Sequence, residues 1–244
     1  IQGNTQITSY FSNDSGSTVT FGADATFADA AFTLTNAGTL YAQSGKIDAS
    51  GMTLRNFASG VIRKNEQESK LDALVVANLR NNADLAVSSL KTTGYVYNGE
   101  GEQGGGHTLT VDTLAADSVL NDNGSTVNVS DSVTAGVVRN INVSKFAVKT
   151  LSAAKVSNES GGELTSERIT ADWIVNEEAK LDADAVEVWR LTNELGSTLD
   201  VDALVMKRDA DGNQAWLQLR SDKATHIGSL SGEDIYAGLT EASG

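Results

Sequence analysis

Along most of the chain, apolar side chains recur in short alternating runs broken by a two-residue step. The order apolar-x-apolar-x-x-apolar is clear at Leu85, Val87, Leu90; Leu109, Val111, Leu114; and Phe146, Val148, Leu151. It returns at Leu181, Ala183, Val186 and at Leu199, Val201, Leu204, so that "LDADAV" comes back as "LDVDAL". Alternation with a period of two predicts strands with one buried face. Each run leads to a second short run that ends on asparagine two residues after an aliphatic or aromatic residue. These asparagines are Asn13, Asn36, Asn56, Asn81, Asn98, Asn121, Asn140, Asn158, Asn176 and Asn193, at spacings of 23, 20, 25, 17, 23, 19, 18, 18 and 17. Seven residues before the asparagine an aliphatic keeps phase, as at Leu74, Leu114, Val133, Leu151, Ile169 and Val186. Polar turns such as "NDNGS", "NESGG" and "NELGS" follow.

Strands this short cannot form a stable sheet alone. A repeat of about eighteen residues fits one coil of a parallel β-solenoid, each coil pairing with the last. The predicted fold is all-β: a parallel β-helix of about ten coils of roughly 17–25 residues. Helical repeats would need longer stretches with a 3.6-residue period. The asparagine, two residues after a buried aliphatic, also points inward, and a buried amide must be hydrogen-bonded. Asn36, Asn56, Asn81, Asn98, Asn121, Asn140, Asn158, Asn176 and Asn193 are therefore expected to form a structural ladder, each amide donating to the next coil. Asparagine also tolerates the left-handed backbone of a corner.

The pattern divides the chain into an irregular first part (1–30), regular repeats (31–204) and an irregular last coil or junction (205–244). "YNGEGEQGGGHTL" (97–109) is a glycine-rich excursion, and "MKRDADGNQAW" (206–216) interrupts the last clear coil. No strong capping sequence stands at either end, which suggests a piece of a longer rod.

Composition narrows the function. There is no proline, which would remove a donor from a stacked ladder. There is no cysteine, so disulfides, thiolate chemistry and zinc fingers are excluded together. A net charge of −14 argues against nucleic acid or anionic lipid as partner. No apolar run approaches the ~20 residues of a membrane helix. "IQGNTQITSY" is not a signal peptide, so any targeting signal is expected outside this sequence.

Runs such as "FTLTNAGTLYAQSG", "VLNDNGSTVNVSDSVTAGVVRN" and "VSNESGGELTSERITADWIVN" resemble the passenger regions of bacterial autotransporters and filamentous-haemagglutinin-type exoproteins. The resemblance covers roughly 30–204. It implies a right-handed coil, export to the bacterial cell surface, and roles in adhesion, aggregation or biofilm. The repeat motif contains scaffold positions only, so the resemblance carries over no catalytic residue.

Candidate chemistry is sparse. His107 and His226 are the two histidines, and no nucleophile-elbow motif accompanies them. In phase, Asp182 stacks on Asp200 and Asp184 on Asp202, predicting an acidic stripe facing solvent. Calcium would relieve the repulsion given enough oxygen ligands, and "DADGN" supplies Asp209, Asp211 and Asn213 as further ligand candidates. The glycine of that loop stands at its fourth position instead of the sixth. Tyr95 and Trp173, three residues before a ladder asparagine, should turn outward as platforms for a sugar ring, whereas Trp189 should face inward. The expected function is a non-catalytic adhesive segment that binds a host or bacterial surface glycan or protein, or associates with itself. No cofactor is required. A polysaccharide lyase or glycosidase and a passive stalk are the alternatives; the first needs acids, aromatics and a base gathered at one groove.

Overall fold

The computed structural model describes residues 5–7, 10–23, 25–27, 33–100, 106–232 and 234–239. Among them are strands but no helix, and no helix is long and apolar enough to cross a membrane. The chain is an all-β parallel β-solenoid of about 11 turns. It divides into two compact units, residues 1–130 and 131–244. Of the glycine-rich excursion, residues 101–105 lie outside the described residues.

The second unit shows the repeat most plainly. The strands Lys145–Glu159, Glu163–Glu177 and Lys180–Asn193 pair in parallel and in register. Each buries residues in three pairs: Phe146 and Val148, Leu151 and Ala153, Val156 and Asn158, and then the equivalents in the next two coils. Within a pair one residue points out. Between pairs two consecutive residues point out, and there the strand turns a corner. One continuous strand thus bends twice and offers three inward faces. Columns form along the stack, such as Leu151–Ile169–Val186–Leu204. Burying each such side chain is worth roughly 1.5–3 kcal/mol. The register continues past Leu204, through Ala215–Leu219, Thr225–Gly232 and Ile235–Leu239.

The first unit has the same construction with longer coils. Its core columns include Ile47–Leu74–Leu90–Leu114 and Leu34–Leu54–Leu79–Val96–Val119. The extra residues before Asn81 have a structural cause. A separate three-stranded parallel sheet, Thr18–Phe21, Thr39–Ala42 and Val61–Arg63, follows the asparagine turns. Near the first strands the core is aromatic: Phe11, Phe21 and Phe27 meet with ring centroids 5.7–5.9 Å apart.

The asparagines form a hydrogen-bonded ladder in each unit. In the first, Nδ2 of Asn13, Asn36, Asn56, Asn81 and Asn98 donates to Oδ1 of Asn36, Asn56, Asn81, Asn98 and Asn121, at 2.8, 2.9, 3.1, 2.9 and 3.0 Å. In the second, Asn140 donates to Asn158 (2.9 Å), Asn158 to Asn176 (2.9 Å) and Asn176 to Asn193 (2.7 Å). Most amides also donate to the carbonyl that opens the strand beyond the neighbour's turn, as Asn158 does to Lys180 O at 2.7 Å. The side chain therefore clamps both the next coil and its turn. The space beside it is full: a Cβ on Gly162 would lie 2.6 Å from both Asn140 O and Asn158 Oδ1. At the next turn position back, glycine is needed for its backbone instead. Gly161 and Gly196 have φ of 81° and 76°, three residues after their asparagines. Val143 stands at the same place after Asn140 and adopts φ 53–59° together with its neighbour Asn142.

Candidate functional site

The position three residues before the asparagine lies at a corner and points outward. In the second unit it carries Lys155, Trp173 and Arg190, which pair in register across three coils. Lys155 Nζ lies 4.5 Å from the Trp173 ring centroid, and the Arg190 guanidinium 4.8 Å. The column continues to Trp216, whose ring is 5.6 Å from the Arg190 guanidinium, and to Tyr236, whose ring is 4.6 Å from Trp216 and tilted by 37°. Cation and aromatic thus alternate one coil at a time before ending on two aromatics. The spacing of paired strands, about 4.8 Å, matches the distance at which a cation sits over a ring.

This geometry changes the reading of Trp173. It does not offer an open ring face, because cations from the coil on either side lie over it; its Nε1 is buried without a hydrogen-bond partner among the described residues. The open rings are Trp216 (37% exposed) and Tyr236 (50%). Both escape a search keyed on asparagine, since Leu219 and Leu239 replace it. The signal was present nonetheless: "WLQL" repeats the phase of "WIVN". Trp189 does not face inward. Strict alternation would bury it, but it shares the two-residue corner with Arg190, and its indole N–H donates to Gln214 O at 2.9 Å.

In the first unit Tyr95 holds the equivalent position. Its hydroxyl accepts from Arg80 Nε at 2.7 Å, and the Arg80 guanidinium lies 5.6 Å from its ring. Arg80 pairs in register with Arg55 and is ion-paired to Glu100, whose other oxygen is 4.0 Å from Arg55 Nη2. Arg55 also lies over Phe57 at 5.0 Å. Beside them the Tyr97 hydroxyl donates to Asp122 Oδ2 at 3.0 Å. Burial, and then that bond, push the Tyr97 pKa up to about 12.

The acids are arranged as follows. Asp182 and Asp200 pair in register on a flat strand face, and Lys180 Nζ lies 3.4 Å from Asp182. Asp184 and Asp202 fall at the adjoining corner, between the paired residues Ala183–Val201 and Ala185–Ala203, and both are exposed. Asp200 pairs in register with His226. One ligand atom from each of Asp200, Asp202 and His226 lies within 4.8 Å of the others, with all three residues exposed. In "DADGN", Asp209 caps its own loop: its carboxylate accepts from the backbone N–H of Asp211 (3.0 Å) and Asn213 (2.7 Å) and from Asn213 Nδ2 (2.6 Å). These bonds, led by the Asn213 side chain, lower its pKa and turn both of its oxygens toward its own loop. His107 lines a recess of about 610 Å³ with Asp84, whose carboxylate accepts from the Thr108 N–H at 2.8 Å.

No family model, no curated protein and no solved structure matches this chain.

Proposed function

We propose that this chain is a non-catalytic binding segment of a bacterial surface protein, and that the corner column of residues 131–244 is its contact face. The observation that carries the reading is the row Lys155–Trp173–Arg190–Trp216–Tyr236. Solvent-facing positions of a scaffold need only polar residues. Here three large aromatics and two cations fall in one register position, and the two outermost rings stay open to water. Exposed, aligned aromatic surface of this kind suits a ligand with both apolar faces and polar edges, such as a cell-surface glycan or a protein. The passenger-type resemblance of the repeats supports display at the cell surface as an adhesin. A regular row also suits many weak contacts acting together.

The test is display of the chain on an inert cell, with an aggregation assay with and without calcium and a glycan array of the soluble protein. Adhesion or glycan binding that Trp216→Ala and Tyr236→Ala remove is the expected result. Binding that survives both substitutions rejects the column as contact face. No binding in any format leaves a stalk. Release of product from an arrayed glycan would make the protein an enzyme.

A further inference from the structure

In residues 1–130, side chains from four successive coils surround a recess of about 270 Å³: Thr33, Thr53, Arg55, Arg80 and Tyr95. Its lining is unusual for a chain of net charge −14, because none of the five is acidic. All five bring hydrogen-bond donors. The Tyr95 hydroxyl accepts from Arg80, and the Thr53 hydroxyl accepts from Asn78 Nδ2 at 3.1 Å, so each has its own proton left to donate. Arg55 and Arg80 are register partners on adjacent coils.

The charge balance of the recess is incomplete. Glu100 ion-pairs with Arg80, but it stands 4.0 Å from Arg55. Arg55 Nε and Glu100 Oε2 are both buried without a hydrogen-bond partner among the described residues. A buried donor without an acceptor costs about 1–3 kcal/mol. The Arg55 side chain as a whole is 42% exposed, so a second carboxylate arriving from solvent can reach its guanidinium without breaking the Arg80–Glu100 pair.

We infer that this recess binds the carboxylate of an acidic sugar residue. The fork of Arg55 takes the carboxylate, and the Thr33, Thr53 and Tyr95 hydroxyls donate to the ring and hydroxyl oxygens. A simple carboxylic acid would leave those three hydroxyls unmatched. An amino acid would bring its ammonium against two guanidiniums. The recess shares no residue with the column of the second unit, so either assignment can fail while the other stands.

The full chain is titrated with D-glucuronate, D-glucose, acetate and inorganic sulfate, followed by NMR or calorimetry. Saturable binding of glucuronate is expected, with the other three weaker by roughly tenfold or more, the worth of one charge-assisted contact or a few neutral ones. Arg55→Gln should abolish binding without lowering the melting temperature, since it removes a buried unpaired donor from a side chain that is 42% exposed. Should that variant fail to fold, Thr53→Val serves instead and should weaken glucuronate binding alone. Glu100→Gln removes the competing carboxylate and should tighten binding several-fold, a gain that a purely structural Glu100 would not give. The inference is overturned by no glucuronate binding, by acetate or sulfate binding as well as glucuronate, or by unchanged affinity in the folded Arg55 variant.

Discussion

Asn158 donates its amide hydrogens to Asn176 Oδ1 at 2.9 Å and to Lys180 O at 2.7 Å, while its own Oδ1 accepts from Asn140. It is wholly buried, so no water can replace these partners. Asn193 accepts from Asn176 in the same way, but the next coil has Leu219 in place of asparagine. Among the described residues its amide reaches only Thr225 Oγ1, at 3.3 Å.

Position along the ladder should therefore set the cost of losing an amide. Asn158→Leu strands two acceptors, Asn176 Oδ1 and Lys180 O, while Asn140 keeps Ser144 O and Glu163 O, and it should cost about 2–5 kcal/mol, at roughly 1–3 kcal/mol for each buried group left unmatched. Asn193→Leu extends an arrangement already present at Leu219 and should cost clearly less. Urea unfolding of the two variants gives the comparison. Equal losses would show that the amides fill space and nothing more.

Val143 should be the cheapest site to improve. It is β-branched, has φ of 59° and is 69% exposed, where the following coil has Gly161 and a later one Gly196. Holding such a residue in the left-handed region costs about 1–2 kcal/mol. Val143→Gly should raise stability by up to about 1 kcal/mol once the freedom of glycine in the unfolded chain is counted. A lower melting temperature would refute the strain.

Gly162 is the converse case. Its requirement is space, since an added Cβ would meet Asn158 Oδ1 and a backbone carbonyl. Gly124 has φ of 69° with nothing within 4 Å of an added Cβ. Gly124→Ala should cost about 1–2 kcal/mol from its backbone alone. Gly162→Ala should cost more, because the ladder itself must move. The ranking can be read from paired thermal melts.

Alkaline pH should weaken the first unit through Tyr97. Its folded pKa is raised to about 12 by burial and the bond to Asp122, whereas the unfolded tyrosine has the ordinary value of 10.0. A raised value means that the folded state holds the proton more tightly. The stabilisation is complete below pH 10 and fades as pH climbs from 10 to about 12. Tyr97→Phe should remove that part of the decline. The check is a series of melts across this range for both proteins.

Arg190 joins Trp173 to Trp216. Arg190→Ala should cost about 1–2 kcal/mol, the worth of two partly exposed cation–ring contacts. It should also alter tryptophan fluorescence, because both rings lose a charged neighbour. An unchanged spectrum would mean that the side chain does not hold this position in solution.

The fold was legible because its rule is local and repeated. The two-residue step in apolar-x-apolar-x-x-apolar is the corner itself, and the asparagine marks the one inward position that needs an amide. The same rule fails where a coil is closed by something else. Leu219 and Leu239 hide Trp216 and Tyr236, although "WLQL" keeps the phase. Alternation carried through a corner would bury Trp189, but at a two-residue corner alternation does not hold. Of the outward positions, Tyr95 and Trp173 could be placed from the sequence, but not their neighbours. That Trp173 lies between Lys155 and Arg190 follows only from knowing which residues one coil away share its register. The meeting of Arg55, Arg80 and Glu100 depends in the same way on coils of unequal length, where residues 64–70 and the additional short strands shift the count.

Every asparagine-to-asparagine bond described here points the same way, from the earlier coil to the later one. The ladder in each unit is therefore polar: one face of a coil holds out amide hydrogens and the other holds out oxygens. A coil already in place holds out amide hydrogens, and the coil made after it needs only to bring an oxygen. For a chain that leaves a ribosome or a narrow channel N-terminus first, each newly released length meets a docking edge prepared by its predecessor, so the order of emergence and the order of assembly coincide.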